Sequence, residues 1–194
     1  MASRFALSPH SRTTAILAGV VLTALTAVIL LGMGREPICT CGTVKLWSGD
    51  VASAENSQHI ADWYTPSHIV HGLLFYWALH LLTPSLALRW RAVAAIVIEA
   101  AWEIVENSPP VIERYREVTI AMGYIGDSVI NSVFDIVWML LGFWLALRLP
   151  VAASVALGLA LEIVAAAVIR DNLTLNVLML LWPLDAVREW QQAG

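Results

Sequence analysis

Long apolar runs separated by short polar breaks make up most of this chain. The first run, Ala15 to Met33, is about 19 residues, close to the roughly 20 that a helix needs to cross a bilayer. A secretory signal would have an apolar stretch of roughly 7–15 residues, so this run predicts an uncleaved first span. Thr65-Pro66 opens a second run, and Pro84 stops it. A third run ends at Ser108-Pro109-Pro110, because a residue before proline resists the helical conformation. Pro150 and Arg170-Asp171-Asn172 punctuate the remainder. The pattern predicts an all-α, polytopic membrane helix bundle of five to six transmembrane helices in one integral membrane domain, 1–194. The expected spans are 14–33, 66–82, 91–107, 127–149, 151–169 and 173–190. The last is the weakest, since Leu173 to Leu184 gives only about 18 Å of helix. It crosses if helix continues past Pro183 towards Trp190, and is re-entrant otherwise; a crossing is favoured.

Two segments fall outside that scheme. Residues 35–64 form an outer loop of roughly 30 residues, too long for a structureless connection, so a short helix around Ala54 to Asp62 is expected to fold back over the bundle. Residues 109–122 read as an interfacial amphipathic helix. Val111, Ile112, Tyr115, Val118, Thr119 and Met122 share one face, and Glu113, Arg114, Arg116 and Glu117 the other.

The chain is 59% hydrophobic and 13% charged, with a mean hydropathy of +0.72, which is a membrane composition. A net charge of -4 and the lack of a long basic run exclude a nucleic-acid partner. The lipid bilayer is the expected partner, with a protein partner or self-association left open. Arg4, Arg12, Arg89, Arg91, Arg148 and Arg188 fall on one side of the predicted topology, which favours a cytoplasmic N-terminus. Cys39 and Cys41 stand one residue apart; a disulfide would close a small ring, and a weak metal chelate or unpaired thiols are the alternatives.

The polar residues inside the spans change the picture most. Glu99, Glu103 and Glu106 sit at i, i+4 and i+7, on one helical face, and Asp127, Asn131 and Asp135 repeat the spacing. Counted at about 1.5 Å per residue, Glu99, Asp135 and Glu162 each lie about 12 Å below the outer surface, and His71 and Asn176 about 7 Å below it. This common level predicts an outward-facing intramembrane pocket. Charges held in hydrocarbon cost several kcal/mol unless paired, so some acids must be protonated, paired with Arg114, Arg116 or Arg170, or neutralised by a cation. The candidate metal ligands are Glu99, Glu103, Glu106, His68, His71 and Asp135; Asp127, Asn131, Glu162, Asn172 and Asn176 complete the polar pocket. Asp127 also reads as a helix cap. Carboxylates with imidazoles suit Zn, Mn or Fe, so a divalent metal is the cofactor that this donor set admits.

Four segments also carry a resemblance: Asp62-Trp-Tyr-Thr-Pro-Ser-His68-Ile-Val-His71-Gly, Ile98-Glu-Ala-Ala-Trp-Glu-Ile-Val-Glu-Asn-Ser108, Gly126-Asp-Ser-Val-Ile-Asn131 and Arg170-Asp-Asn-Leu-Thr-Leu-Asn176. As a set they resemble an uncharacterised family of bacterial multi-pass inner-membrane proteins, over nearly the whole chain from Ile16 to Trp190. The resemblance implies an inner-membrane location and a span count, and supplies no activity. Two functions stay open. The pocket binds a cation, lipid headgroup or partner, or the protein is a membrane-embedded hydrolase or transferase using metal or Glu/His acid-base chemistry on an envelope substrate. A transporter is disfavoured by the apolar inner half.

Overall fold

The computed structural model describes residues 9–119 and 123–193, so Arg4 and Met122 lie outside the described residues. Eight helices occur among the described residues: α1 (Pro9–Gly32), α2 (Thr65–Leu82), α3 (Leu88–Glu106), α4 (Pro109–Val118), α5 (Val129–Arg148), α6 (Val151–Ile169), α7 (Leu173–Leu181) and α8 (Asp185–Gln192). Three are long and apolar enough to cross a membrane: Ser11–Gly32 within α1, all of α5 and all of α6. That is fewer than the five to six expected. α2 and α3 have comparable lengths of 18 and 19 residues, but they carry the histidines and glutamates of the interior, which lowers their apolarity.

At the centre, α2 and α5 run side by side in the same direction, with His68 near Asp135, Gly72 against Gly142 and Tyr76 against Phe143. At the crossing the backbones touch. A Cβ on Gly72 would collide with the Met139 carbonyl oxygen, and one on Gly142 with that of Ile69. Small residues at a crossing permit this approach, which no larger side chain allows. α3 runs the opposite way to α2, so His68 and His71 face Glu99 near one end while His80 meets Arg91 near the other. Below the histidines the interior is apolar: Leu73, Tyr76, Ala95, Ile96, Ile136, Met139 and Phe143 pack together. α1 and α6 flank this centre and turn Ile16, Val20, Val28, Val155, Leu159 and Ile163 outwards, a face suited to lipid.

The loop before α2 contains turns and no helix over 54–62, contrary to expectation. Its carbonyls serve the start of α5 as well as one another. Val129 N–H donates to Glu36 O, Ile130 N–H to Pro37 O and Ser128 N–H to Ser57 O, satisfying donors that a helix start leaves open. Trp138 Nε1 donates to Ile60 O at 2.9 Å, holding the loop over the bundle. Cys39 and Cys41 are joined as a disulfide. An amphipathic helix is present there as α4, with Ile112, Tyr115 and Val118 buried.

The expected single helix over 173–190 is two helices, broken at Trp182–Leu184 around Pro183, whose ring cannot continue a helix. α7 is nine residues, about 13 Å. After the break α8 returns towards the start of α7: Gln191 Nε2 donates to Asp171 Oδ1 at 3.3 Å and Arg170 Nη1 to Trp190 O at 2.7 Å. Arg114 of α4 donates to Leu180 O, so this pair sits beside α4.

Candidate functional site

Antiparallel packing of α2 and α3 sets the polar faces of both helices against each other. His68 Nδ1 lies 2.7 Å from Glu99 Oε1, and His71 Nδ1 lies 3.0 Å from Glu99 Oε2. One fully buried carboxylate therefore holds both imidazoles by the same nitrogen, leaving each Nε2 for another partner. His68 Nε2 is 3.7 Å from Asp135 Oδ2, brought there by the glycine crossing. One turn further along α3, Glu103 is 0% exposed, and neither of its carboxylate oxygens has a hydrogen-bond partner.

Beyond Glu103 the acids continue. Glu106 Oε1 accepts from Tyr115 OH at 2.8 Å. Asp127 Oδ1 accepts from Tyr124 OH at 2.9 Å and Oδ2 from Asn107 Nδ2 at 2.9 Å, while Asp127 N–H donates to Asn107 Oδ1 at 2.7 Å. This reciprocal pair ties the end of α3 to the approach to α5. Asp127 is not the helix cap; Ser128 is, its side chain accepting from Asn131 N–H. Burial pushes the Asp127 carboxyl up to about 6, against the lowering pull of Asn107 and Tyr124. Asn131 donates through Nδ2 to His59 O at 2.8 Å.

Part of this network lines a cavity of about 50 Å³, room for roughly three or four waters. Its polar wall includes His68, His71, Glu106, Asp127, Asn131 and Asp135, and Trp102, Leu173 and Val177 supply an apolar wall. Ligand atoms of His68, Glu103 and Asp135 lie within 4.8 Å of one another, as do those of His68, His71 and Glu99, and those of Glu103, Glu106 and Asp127. The arginines expected to balance the acids are engaged elsewhere: Arg114 with Leu180 O and Glu117, Arg116 with Tyr124 O, Arg170 with Trp190 O.

All six candidate ligands from the sequence meet here, along with Asp127, Asn131 and Asn176. Glu162 does not. Its carboxylate accepts from Leu173 N–H and Thr174 N–H at 3.2 and 2.9 Å, capping α7, whose first donors would otherwise be unpaired. Asn172 joins that cap, its Oδ1 accepting from Leu175 N–H, and it too stands apart from the cavity. Sequence reasoning also missed a neighbouring hub. Asp171, fully buried, accepts from Tyr64 OH, Asn172 N–H, Asn176 Nδ2 and Gln191 Nε2. Burial raises its carboxyl to about 6. Its signals were an acid between two apolar runs, which reads as an ordinary surface turn, and its place in the Arg170–Asn176 segment. Tyr115 was visible on the apolar face of α4, but not its bond to Glu106.

His59 contributes no free ligand atom: its Nδ1 accepts from Lys45 N–H, and its Nε2 is held by Glu55 at 2.9 Å.

A family model described as a protein of unknown function, DUF2585, matches residues 30–193. The chain is 63% identical over 169 residues to a UPF0314 protein of Paracoccus denitrificans, covering 87% of this chain and 88% of the relative. Against a UPF0314 protein of Novosphingobium aromaticivorans the identity is 55% over 172 residues, 86% and 87% of the two chains. An Agrobacterium fabrum relative of the same designation is 54% identical over 178 residues, covering 92% and 89%. No solved structure matches the chain. With matches that run through all the site-bearing helices, the chain belongs to the DUF2585 family, whose function is not established.

Proposed function

We propose that this is a multi-pass bacterial inner-membrane protein whose outward-facing pocket binds a divalent metal ion through His68, Glu103 and Asp135. α1, α2, α3, α5 and α6 cross the bilayer with the N-terminus in the cytoplasm, and α7 and α8 form a re-entrant pair on the outer side. Arg12, Arg89, Arg91 and Arg148 then share the cytoplasmic end, consistent with the bias of basic residues to that side. Arg188, expected inside from the sequence, goes to the outer side with α8.

The observation that carries the metal reading is Glu103. A carboxylate sealed inside a bundle is neutralised by a proton or by a cation. A proton would leave its own O–H unpaired, because neither oxygen has a hydrogen-bond partner and His68 Nδ1 stands 3.7 Å from Oε1. A cation among His68, Glu103 and Asp135 satisfies all three groups. Glu99 acts behind the ligands, as an acceptor that fixes the tautomer of each histidine so that Nε2 can bind metal. Mixed nitrogen and carboxylate donors suit Zn, Mn or Fe.

Elemental analysis of purified full-length chain tests the reading. Stoichiometric Zn, Mn or Fe in the wild type, and none in Glu103→Gln, is the expected result. A wild type that stays metal-free after incubation with each ion would overturn it. Orientation is checked on intact cells: after reduction, a membrane-impermeant thiol reagent reaches the exposed Cys41 only if that loop is periplasmic.

A further inference from the structure

The two clusters around Glu103 are continuous. One contains His68, Glu103 and Asp135, and the other Glu103, Glu106 and Asp127, each set of ligand atoms falling within 4.8 Å. Glu103 is common to both, is 0% exposed, and has two oxygens without partners. We propose that Glu103 is a bridging ligand of a two-metal centre, with one ion held by His68 and Asp135 and a second by Glu106 and Asp127. This rests on the metal reading above and goes beyond it in stoichiometry, in the second ligand set and in the role of Glu103.

The second set has the features of built ligands. Each carboxylate is oriented by donors that leave it further lone pairs: Tyr115 OH on Glu106 Oε1, Tyr124 OH on Asp127 Oδ1 and Asn107 Nδ2 on Asp127 Oδ2. Metal-ligating carboxylates are themselves hydrogen-bonded in this way. The three tethers come from α4, the α4–α5 connection and the end of α3, so the site depends on segments remote from His68. A single ion at the first set would leave Glu106 and Asp127 facing Glu103 with no arginine between them. A second divalent ion removes that repulsion. The ligand chemistry of the two positions differs, one nitrogen with carboxylates against carboxylates alone. Mn²⁺ accepts both, whereas Mg²⁺ or Ca²⁺ suits the all-oxygen position. Four of the five ligands, all but Glu103, line the cavity, so both ions would keep a face towards water or a small substrate. Two ions spanned by one carboxylate form the clamp that two-metal hydrolases use on an attacking and a leaving oxygen.

The test is Mn²⁺ loading of the full chain in detergent, with metal counted per chain and the electron paramagnetic resonance spectrum recorded. Two Mn²⁺ per chain with an exchange-coupled spectrum is expected. Asp127→Asn and Asp135→Asn should each fall to one ion with the ordinary six-line pattern, and Glu103→Gln should retain none. No Mn²⁺ in the wild type overturns this proposal, and it overturns the metal reading with it if Zn and Fe are not taken up either. One ion in the wild type overturns the second position and leaves the first reading standing, and two uncoupled ions overturn the bridge. The wild-type spectrum decides the matter even if a variant fails to fold.

Discussion

Gly72 and Gly142 meet backbone to backbone where α2 crosses α5, with no side chain between them. The contact sets the distance between His68, one turn before Gly72, and Asp135, two turns before Gly142. Without it the first ligand set does not close.

Gly72→Ala and Gly142→Ala should therefore destabilise the protein by at least the 1–3 kcal/mol typical of overpacking, because backbone rather than a flexible side chain must move. Both should also lose metal. Gly158→Ala is the control: its Cβ would meet Leu73 Cδ1 at 3.6 Å, an ordinary contact, so the change should be neutral or slightly stabilising. Thermal unfolding in one detergent compares the three, and a Gly72→Ala protein as stable as wild type would refute the crossing.

Glu99→Gln should leave the fold intact and weaken metal binding by roughly 10–100-fold, the usual effect of losing an outer-shell partner. An amide has one acceptor oxygen, whereas the carboxylate serves both His68 and His71. The second imidazole would then face an N–H, carry its proton on Nε2 and lose its free lone pair. A competition titration with a chromogenic chelator reads the change. Unaltered affinity would show that Glu99 does not position the histidines.

The Asp171 carboxyl is raised to about 6 by burial, against 3.8 for the ordinary group. Between these values the folded protein binds a proton that the unfolded chain releases. Stability is then highest below about pH 4, declines as pH rises, and is level above about 6, a loss on the order of 3 kcal/mol at most. Asp171→Asn should remove this slope, whatever it does to absolute stability. Denaturation midpoints at several pH values between 4 and 7 measure it, and an unchanged slope would assign the titration elsewhere.

Ser128 caps α5 and its hydroxyl donates to Gln58 O at 3.0 Å, so Ser128→Ala should cost about 1 kcal/mol or somewhat more and loosen the loop before α2. Lys45, the one lysine in the sequence, lies in that loop and pairs with Glu55. A lysine-specific protease should cut the variant at Lys45 faster than the wild type.

Much of this was legible without coordinates. Helical spacing put Glu99, Glu103 and Glu106 on one face, and the cost of charge in lipid turned that face inwards. Proline positions gave the breaks before α2, α4 and α6 and the weakness at Pro183. Periodicity says which residues share a face, but not which neighbour that face meets. Glu162 sits at the right depth and still leaves the pocket, because the start of α7 needs an acceptor more than the cavity does. Segment 54–62 is expected to be helical, but its turns present the carbonyls of Ser57, Gln58 and His59 to Ser128 and Asn131 at the start of α5. The sequence by itself determined the helices, their polar stripe and the acids that could not stay unpaired. Only the tertiary structure decided that Glu99 would hydrogen-bond two histidines while Glu103 stands 3.7 Å from His68 with no hydrogen bond, since that depends on how α3 packs antiparallel against α2.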